Sequence, residues 1–242
     1  MLHFFSKSES LGHNHKAGDR HYRAYVGPPG RYDIIAAMSF NLLTCCGLRQ
    51  HHNLLDVGCG SLRLGRIVIP YLNSGKYIGV EPNKWLIDEA IKRETGKTLI
   101  KIKKPKFIID DSISSHNIPQ FNFAIAQSIF SHTKLSLFKQ WMTELTNNIS
   151  DDGCIFATFI LGNEDEQVAG KWEGTGDWVY PNCIRFKEST IKDIANAHNL
   201  NSMRLNYWHP TQTWFAFYNN SFNAELFAKG QITWNNLQSQ QQ

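Results

Sequence analysis

The chain has 242 residues, of which 42% are hydrophobic and 12% aromatic, so it can bury the core of one α/β domain with small additions. Its 25 basic and 21 acidic residues give a net charge of +4, which is too balanced to indicate a nucleic-acid-binding surface. The five cysteines have no C-x-x-C spacing, which argues against a disulfide framework or a zinc site and favours a cytoplasmic location. The sequence has no apolar run of about 18 residues, so neither export nor a membrane span is expected.

Three regions are expected along the chain. Residues 1–21 are polar after the first five and lack periodicity, which predicts a mobile N-terminal segment. Residues 22–220 are expected to form the domain, and residues 221–242 a polar C-terminal tail. Within the domain, Asp33–Cys46 has the pattern of an amphipathic helix that opens with its aspartate as the cap, after a Gly-Pro-Pro-Gly turn, and covers the fold at its N-terminal side.

The most informative stretch follows that helix and reads LLDVGCGSLRLG over residues 54–65. Its first four residues suit a buried parallel strand, whereas Gly58 and Gly60 let the backbone turn and lie close against a ligand. The helix predicted over 62–72 directs its N-terminal amides at the same crevice, which favours an anionic group. This pattern predicts a loop that binds a nucleoside cofactor.

The next strand, predicted over 76–81, ends in Glu81, which is placed to accept hydrogen bonds from ribose hydroxyls. A dinucleotide-binding loop also has an acid about 20 residues on, so this spacing alone does not choose the cofactor. However, the third glycine of a dinucleotide loop would fall on position 63, which is Arg63. A long side chain where helix and strand should pack closely argues against pyrophosphate binding.

Strands and helices continue to alternate, which forces the strands to run parallel. The two final strand-like runs are joined by only four residues and must therefore pair antiparallel. The basic stretch Lys97–Lys106 is expected to be a solvated loop. The predicted strands are 54–57, 76–81, 106–110, 121–126, 154–161, 203–208 and 213–218, and the helices after the first are 62–72, 84–94, 135–148 and 189–198.

LLDVGCGS and YIGVEPN resemble the first motif and the acidic second-strand end of the class I S-adenosylmethionine-dependent methyltransferases. The resemblance covers about residues 22–218, and Tyr25–Arg49 with PNKWLIDEAI is similar to a bacterial subgroup whose substrates are poorly defined. Many members have a further glycine where this chain has Leu62. The resemblance implies S-adenosylmethionine as the cofactor and an α/β, Rossmann-like fold, with a seven-stranded mostly parallel sheet, helices on both faces and a C-terminal antiparallel hairpin.

Cofactor-binding residues are expected beyond the carboxyl ends of the strands. The resemblance implies an adenine contact after the third strand, for which Asp111 is favoured over Asp110, although both residues also suit an ordinary turn. Arg31 and Arg63 are candidates for the methionine carboxylate, or else helix-surface cations. The predicted set is Arg31, Asp56, Gly58, Cys59, Gly60, Arg63, Glu81, Pro82, Asp110, Asp111, Ser112 and Gln127.

His132, just after the fourth strand, is the first candidate for a general base, with a positioning role as the alternative, and His209 is the second candidate. The insertion 162–185 contains tryptophans and a tyrosine between glycines, which suits either a lid over a small ligand or a loop packed on the sheet edge. The segment after the fourth strand lacks the cluster of acids and amides that a metal site would need, so no metal is expected. The residues expected to contact the acceptor are Tyr22, Tyr25, Trp178 and Tyr180, with Trp172 also in the insertion.

These features predict an S-adenosylmethionine-dependent methyltransferase that transfers a methyl group to an oxygen or nitrogen of a small or modest-sized acceptor by direct displacement. One alternative is a module that binds the cofactor without transferring the methyl group. A nucleic-acid or protein methyltransferase is another, but it would be expected to have a basic groove or an added recognition domain. A dinucleotide-dependent oxidoreductase is the most distant alternative. The acceptor and the oligomeric state are left open.

Overall fold

The protein is an α/β fold whose strands form one sheet between two layers of helices, as seen in a computed structural model that describes residues 11–170 and 174–229. The strands are β1 Leu54–Val57, β2 Tyr77–Val80, β3 Lys106–Ile108, β4 Phe121–Ala126, β5 Ile149–Leu161, β6 Gln167–Val168, β7 Ile184–Phe186, β8 Asn201–Arg204 and β9 Thr213–Tyr218. The helices are α1 Tyr32–Cys45, α2 Gly65–Tyr71, α3 Lys84–Ala90, α4 Lys97–Lys103, α5 Leu135–Thr146, α6 Glu188–Ala197 and α7 Glu225–Lys229.

The order of the strands places a crevice at the carboxyl edge of the sheet. Strands β3, β2, β1, β4 and β5 lie side by side and run parallel, β9 and β8 continue the sheet antiparallel to β5, and the short pair β7 and β6 extends the end of β5. The chain proceeds from β1 outward to β3 and then returns to the other side of β1 as β4. Ligands in such sheets bind where the order reverses, which here lies between the ends of β1 and β4.

Two hydrophobic cores cover the two faces of the sheet. Leu55 and Val57 face the core under α5 and α6, whereas Leu54 faces the core under α1 and α2. This alternation follows from the two-residue period of a strand. None of the helices in the described parts of the chain has the length and apolar character needed to cross a bilayer.

The predicted fold class is confirmed, including the parallel sheet and the antiparallel pair at its end. Three local predictions were wrong. The basic stretch after Gly96 is helix α4 because Leu99 and Ile100 pack against the core, leaving its lysines on the solvent side. Asp33 does not cap α1; its carboxylate lies in the first turn and pairs with Arg66. Strand β8 begins earlier than predicted, so eight residues link it to β9.

Residues 222–229 pack on the domain beyond its expected end at residue 220. Phe222 and Phe227 are buried in the core that contains α1, and Phe227 lies in helix α7. Their apolar contacts join this segment to the domain, whereas residues 230–242 lie outside the described residues. Of the predicted mobile segment, residues 1–10 also lie outside them, and residues 11–21 form a series of turns in which the Gly18 amide donates to the Ala24 carbonyl.

A buried ion pair fastens the N-terminal segment to the domain. The Arg23 Nε atom lies 2.9 Å from Glu94 Oε1, and the Tyr22 hydroxyl donates to the same oxygen at 2.8 Å. Glu94 belongs to a π-helical turn that continues α3. A second tie joins α1 to the glycine loop, because the Tyr32 hydroxyl donates to the Ser61 carbonyl at 2.8 Å. These contacts place residues 24–31 over the crevice.

Candidate functional site

The glycine loop after β1 has the backbone conformation that its sequence predicts. Gly58 and Gly60 adopt φ angles of 64° and 54°, in the left-handed region that favours glycine. A Cβ on Gly58 would lie 2.1 Å from Ile129 Cδ1, and one on Gly60 would lie 2.6 Å from Val26 Cγ1. The loop is therefore bare backbone covered by two apolar side chains, one from the N-terminal segment and one from the segment after β4.

Glu81, at the end of β2, is held against this loop. One carboxylate oxygen accepts the Gly60 amide at 3.2 Å, and the other accepts the backbone and side-chain nitrogens of Asn83, each at 2.8 Å. Burial raises the pKa of Glu81, while the hydrogen bonds from Asn83 and Gly60 oppose that shift. Because a carboxylate has about four acceptor positions and three are used here, the group retains capacity for one ribose hydroxyl. Pro82 is exposed in the turn that follows.

Asp56 and Cys59 are buried beside the loop. The Tyr77 hydroxyl donates to Asp56 at 2.7 Å, and burial raises the pKa of this carboxyl to about 7. Burial also raises the pKa of the Cys59 thiol well above its ordinary value, so the residue is a neutral packing group with its sulfur against Gly79. Asp56 thus contributes a titratable acid to the site.

Arg63 provides a guanidinium beside the loop without a carboxylate partner. It donates to the Val26 carbonyl at 2.9 Å and to the Gln127 side-chain oxygen, and none of the ion pairs within the described ranges includes it. Burial lowers its pKa, which reflects the cost of holding this cation away from water. Such a group is suited to receive an anion. Arg31, by contrast, is exposed at the start of α1.

The residues after β3 lie at the same edge of the sheet as Glu81, because Val80 pairs with Ile108. Asp110 forms an ion pair with His116 at 2.9 Å, which lowers the pKa of the carboxyl, whereas Asp111 is exposed. The Ser112 hydroxyl donates to Glu144 of α5 at 2.8 Å. Asp111 therefore remains the better candidate for an adenine contact, since Asp110 and Ser112 are engaged elsewhere.

A cavity lies between the glycine loop and helix α1, and it brings half of the predicted cofactor residues together. Its free volume is about 30 Å³, which is room for one or two water molecules. The cavity is also lined by residues that no sequence pattern predicted, among them Val26, Ile35 and Ser39. No local motif indicated them, because their position depends on how α1 docks. The predicted residues in its wall are Asp56, Gly58, Cys59, Gly60, Arg63 and Gln127.

His132 lies in an aromatic cluster on the other side of the crevice. Its Nδ1 atom lies 2.6 Å from the Asn182 carbonyl oxygen, so Nδ1 carries the proton and Nε2 keeps its lone pair. Burial lowers the pKa of the ring, which is therefore neutral at pH 7. The ring lies 5.0 Å from that of Tyr180 and 5.9 Å from that of Trp178.

Two other aromatic residues extend this cluster towards the glycine loop. The Tyr180 hydroxyl donates to the Tyr25 carbonyl, and the Tyr25 ring contacts both Tyr180 and Trp85. Trp178 is 46% exposed, so one face is open to solvent. Trp172 lies outside the described residues. Two of the predicted acceptor residues, Trp178 and Tyr180, therefore contact His132, and Tyr25 joins them through Tyr180.

Tyr22 does not join that cluster, contrary to the prediction. Its ring is buried, and its hydroxyl is bonded to Glu94 and Arg23 in the ion-pair network that fastens the N-terminal segment. The sequence does not show the path of the N-terminal segment, so it could not tell whether Tyr22 lies in the aromatic cluster or in the ion-pair network. The structure gives Tyr22 an anchoring role.

His209 is unsuited to the role of general base. Its Nδ1 atom accepts the backbone amides of Thr211 and Gln212, at 3.2 and 2.9 Å. In the neutral ring the proton must then be on Nε2, so neither nitrogen has a lone pair free for a substrate proton. Burial, together with the positive charges of Arg63 and Arg31, lowers the pKa of this ring to about 3.

Comparison with solved structures identifies the fold. The chain is similar to the magnesium protoporphyrin IX methyltransferase of Synechocystis with bound S-adenosylmethionine, at 13% identity and a TM-score of 0.53 over 78% of this chain and 79% of that one. It is similar to CalS10, an amino pentose methyltransferase from Micromonospora echinaspora, at 12% identity and a TM-score of 0.56 over 77% and 90%.

A third similar structure is an S-adenosylmethionine-dependent methyltransferase from Clostridium acetobutylicum, at 16% identity and a TM-score of 0.55 over 83% of this chain and 94% of that one. No protein-family model matches the sequence. The likeness shows that the chain has the Rossmann-like fold of these methyltransferases.

Proposed function

We propose that this protein is an S-adenosylmethionine-dependent methyltransferase acting on an oxygen or nitrogen of a small or modest-sized acceptor. The proposal rests on the bare glycine loop where the strand order reverses, with Glu81 bound to its backbone. Arg63 lies beside the loop and has no carboxylate partner within the described parts of the chain. The similar solved structures include methyltransferases of a porphyrin and of an amino pentose, which supports a small acceptor.

The residues around the loop fit the parts of the proposed cofactor. Glu81 would accept a ribose hydroxyl, Asp111 the adenine amino group, and Arg63 the methionine carboxylate, for which a guanidinium is well shaped. Val26 and Ile129 now lie where the loop is barest, so these two side chains must move aside for the cofactor to approach the backbone. We expect residues 24–31 and 127–132 to rearrange on binding.

The cofactor supplies a methyl group activated on a sulfonium, and the chain's task is to align the acceptor atom with it in a dry pocket. Positioning of this kind contributes up to about 7–11 kcal/mol in the best intramolecular cases. Tyr25, Tyr180 and Trp178 form an apolar wall that excludes water. His132 would take a proton from a hydroxyl or ammonium acceptor through its Nε2 lone pair.

Calorimetry with S-adenosylhomocysteine tests the proposal. The natural protein should bind this compound, and Glu81→Ala should weaken the affinity about tenfold to a hundredfold, because a lost hydrogen bond to a charged group costs about 1.5–3 kcal/mol. Asp88→Ala is the matched control, since Asp88 is an exposed acid on α3 that pairs only with Lys84 among the described residues. No binding to the natural protein would contradict the proposed function, and equal affinity in Glu81→Ala would contradict the role of Glu81.

A further inference from the structure

A second open space lies on the far side of Gln127 from the cofactor cavity. It is a cleft of about 450 Å³ formed by the segment between β8 and β9, which includes Tyr207, Trp208 and Gln212. Because β9 runs antiparallel to β5 and Thr213 pairs with Phe159, this segment lies at the carboxyl edge of the sheet. The cleft is within the usual size range of small-molecule sites, about 300–1,000 Å³.

The wall between this cleft and the cofactor cavity is polar. Gln127 lines the cofactor cavity, His209 lines the cleft, and the Gln127 side-chain nitrogen lies 3.2 Å from His209 Nε2. On the other side of the same wall, the Gln212 side chain donates to the Ser128 hydroxyl at 2.9 Å. A molecule in the cleft is therefore separated from the cofactor cavity by the side chains of Gln127 and His209.

The hydrogen bonding of this wall is incomplete within residues 11–170 and 174–229. The Gln212 side-chain oxygen is buried without a donor. The contact between Gln127 and His209 brings two N–H donors together, because His209 Nδ1 is occupied by backbone amides. Buried polar groups without partners cost about 1–3 kcal/mol each, so a ligand with both donors and acceptors would stabilise the wall.

The charges around the cleft disfavour a cationic ligand. Arg204 is paired with Glu188 at 3.1 Å and contributes little net charge. Arg31 and Arg63 both act on His209 from nearby, so the local potential is positive. The remaining lining consists of carboxamide, hydroxyl and aromatic groups, among them the ring of Tyr207, whose hydroxyl is fixed to Met38 and Asn41 of α1. Flat apolar rings beside hydrogen-bonding amides suit a hydroxylated ring.

We propose that this cleft binds the part of the acceptor that does not react, and that this part is a neutral polyhydroxylated ring such as a sugar. The inference rests on the proposed methyl transfer and names the class of its acceptor. In this arrangement the sugar lies against Trp208 and Gln212, and the atom to be methylated points past Gln127 towards the cofactor.

The test uses saturation-transfer NMR with the full chain in the presence of S-adenosylhomocysteine. The probes are methyl β-D-glucopyranoside and glucosamine, which are similar in size but differ in charge. The neutral glycoside should bind with the stronger signal. Trp208→Ala and Gln212→Met should each raise its Kd about tenfold, from the loss of roughly 1.4 kcal/mol of contact energy. Met203→Ala, an exposed residue of β8 outside the lining, is the matched control and should leave the Kd unchanged.

Several outcomes would overturn the proposal. Stronger binding of glucosamine, or no binding of either probe by a protein that binds S-adenosylhomocysteine, would contradict the acceptor class while leaving the proposed function intact. Loss of the glycoside signal in Trp178→Ala but not in Trp208→Ala would place the ring at the aromatic cluster instead. Failure to bind S-adenosylhomocysteine would contradict the proposed function itself.

Discussion

The backbone conformation of Leu62 favours glycine, whereas its side chain is buried and stabilises the core. Its φ angle of 54° lies in the left-handed region that favours glycine. That conformation costs a residue with a Cβ about 1–2 kcal/mol. The Leu62 side chain is nevertheless completely buried, and burying a leucine contributes about 1.5–3 kcal/mol. The core contact therefore outweighs the strain, which explains how the loop keeps its shape without a third glycine.

Substitution of Leu62 should show this balance. Leu62→Ala should lose about 2–5 kcal/mol of unfolding free energy, because it removes the packing and keeps the strain. Leu62→Gly should be more stable than Leu62→Ala by about 1 kcal/mol, since it relieves the strain. Denaturant unfolding measures both values. The control is Leu64, a buried residue with an ordinary φ of −78°, where alanine should be the more stable replacement. The same order at both positions would contradict this account.

His132 gives a prediction for the pH dependence of catalysis. Its pKa lies below the ordinary value of 6.5, so the ring is a neutral base above that pH and becomes protonated only in more acidic solution. If His132 is the general base, kcat should be flat from pH 7 to 8 and fall as the pH drops below 6.5. His132→Ala should lower kcat about 10²–10⁴-fold and remove the acidic limb, while leaving the affinity for S-adenosylhomocysteine unchanged. Unchanged kcat in the variant would leave His132 only a positioning role.

At the scale of elements, the N-terminal segment is part of the site because a buried ion pair holds it. Arg23 and Glu94 are only 6% and 9% exposed, and Tyr22 shares the same carboxylate. Val26, three residues after Arg23, covers Gly60. This segment packs on the π-helical turn after α3. That packing therefore positions Val26, which does not belong to the sheet, against the glycine loop.

Glu94→Gln should destabilise the protein by about 3 kcal/mol, because it leaves the Arg23 guanidinium buried without its main counter-charge. Glu89→Gln is the matched control on the same helical stretch. Its pair with Arg93 is partly exposed, and such i,i+4 pairs contribute about 0.3–0.5 kcal/mol. Chemical denaturation distinguishes the two. Similar losses in both variants would mean that the Arg23–Glu94 pair has no special role in anchoring the segment.

At the scale of the whole molecule, the domain includes a C-terminal segment that the composition of the sequence does not reveal. Phe222 and Phe227 contact Tyr218, and Phe227 also contacts Phe156 in the centre of the sheet. Helix α7 contains the second of these phenylalanines and packs near α1. The same core therefore joins the C-terminal segment to the helix that lines the cofactor cavity.

Two truncated chains test where the domain ends. A chain ending at residue 220 loses both phenylalanines and should be less stable by about 3 kcal/mol or more, from the loss of buried aromatic area. A chain ending at residue 229 keeps them and should unfold at the temperature of the full chain. Thermal unfolding followed by circular dichroism makes the comparison. Equal stability of the shorter chain would show that the segment is outside the cooperative unit.

Patterns formed by residues close together in the chain account for the parts of the fold and site that the sequence predicts. The strand before Gly58 and the acid at position 81 each depend on residues close together in the chain, and the structure places both as expected. The link before β9 has eight residues rather than four, although the predicted antiparallel pairing is present. Helix α4 was missed because its charges dominate the composition, whereas its burial depends on only Leu99 and Ile100. Tyr22 was expected in the acceptor site, but a hydrogen bond to Glu94, which is distant in the chain, holds it elsewhere. His209 was expected to act as a base, but its Nδ1 atom accepts backbone amides of its own turn.

The sequence by itself therefore determined the five parallel strands, the glycine loop and the acid that faces it, because periodicity and turn chemistry act over a few residues. Only the tertiary structure decided that Val26 and Ile129 cover the loop, that Arg63 has neutral partners and that a polar cleft opens beyond Gln127. These features join residues from segments far apart in the chain. Their positions follow from packing of the whole core, which no local pattern encodes.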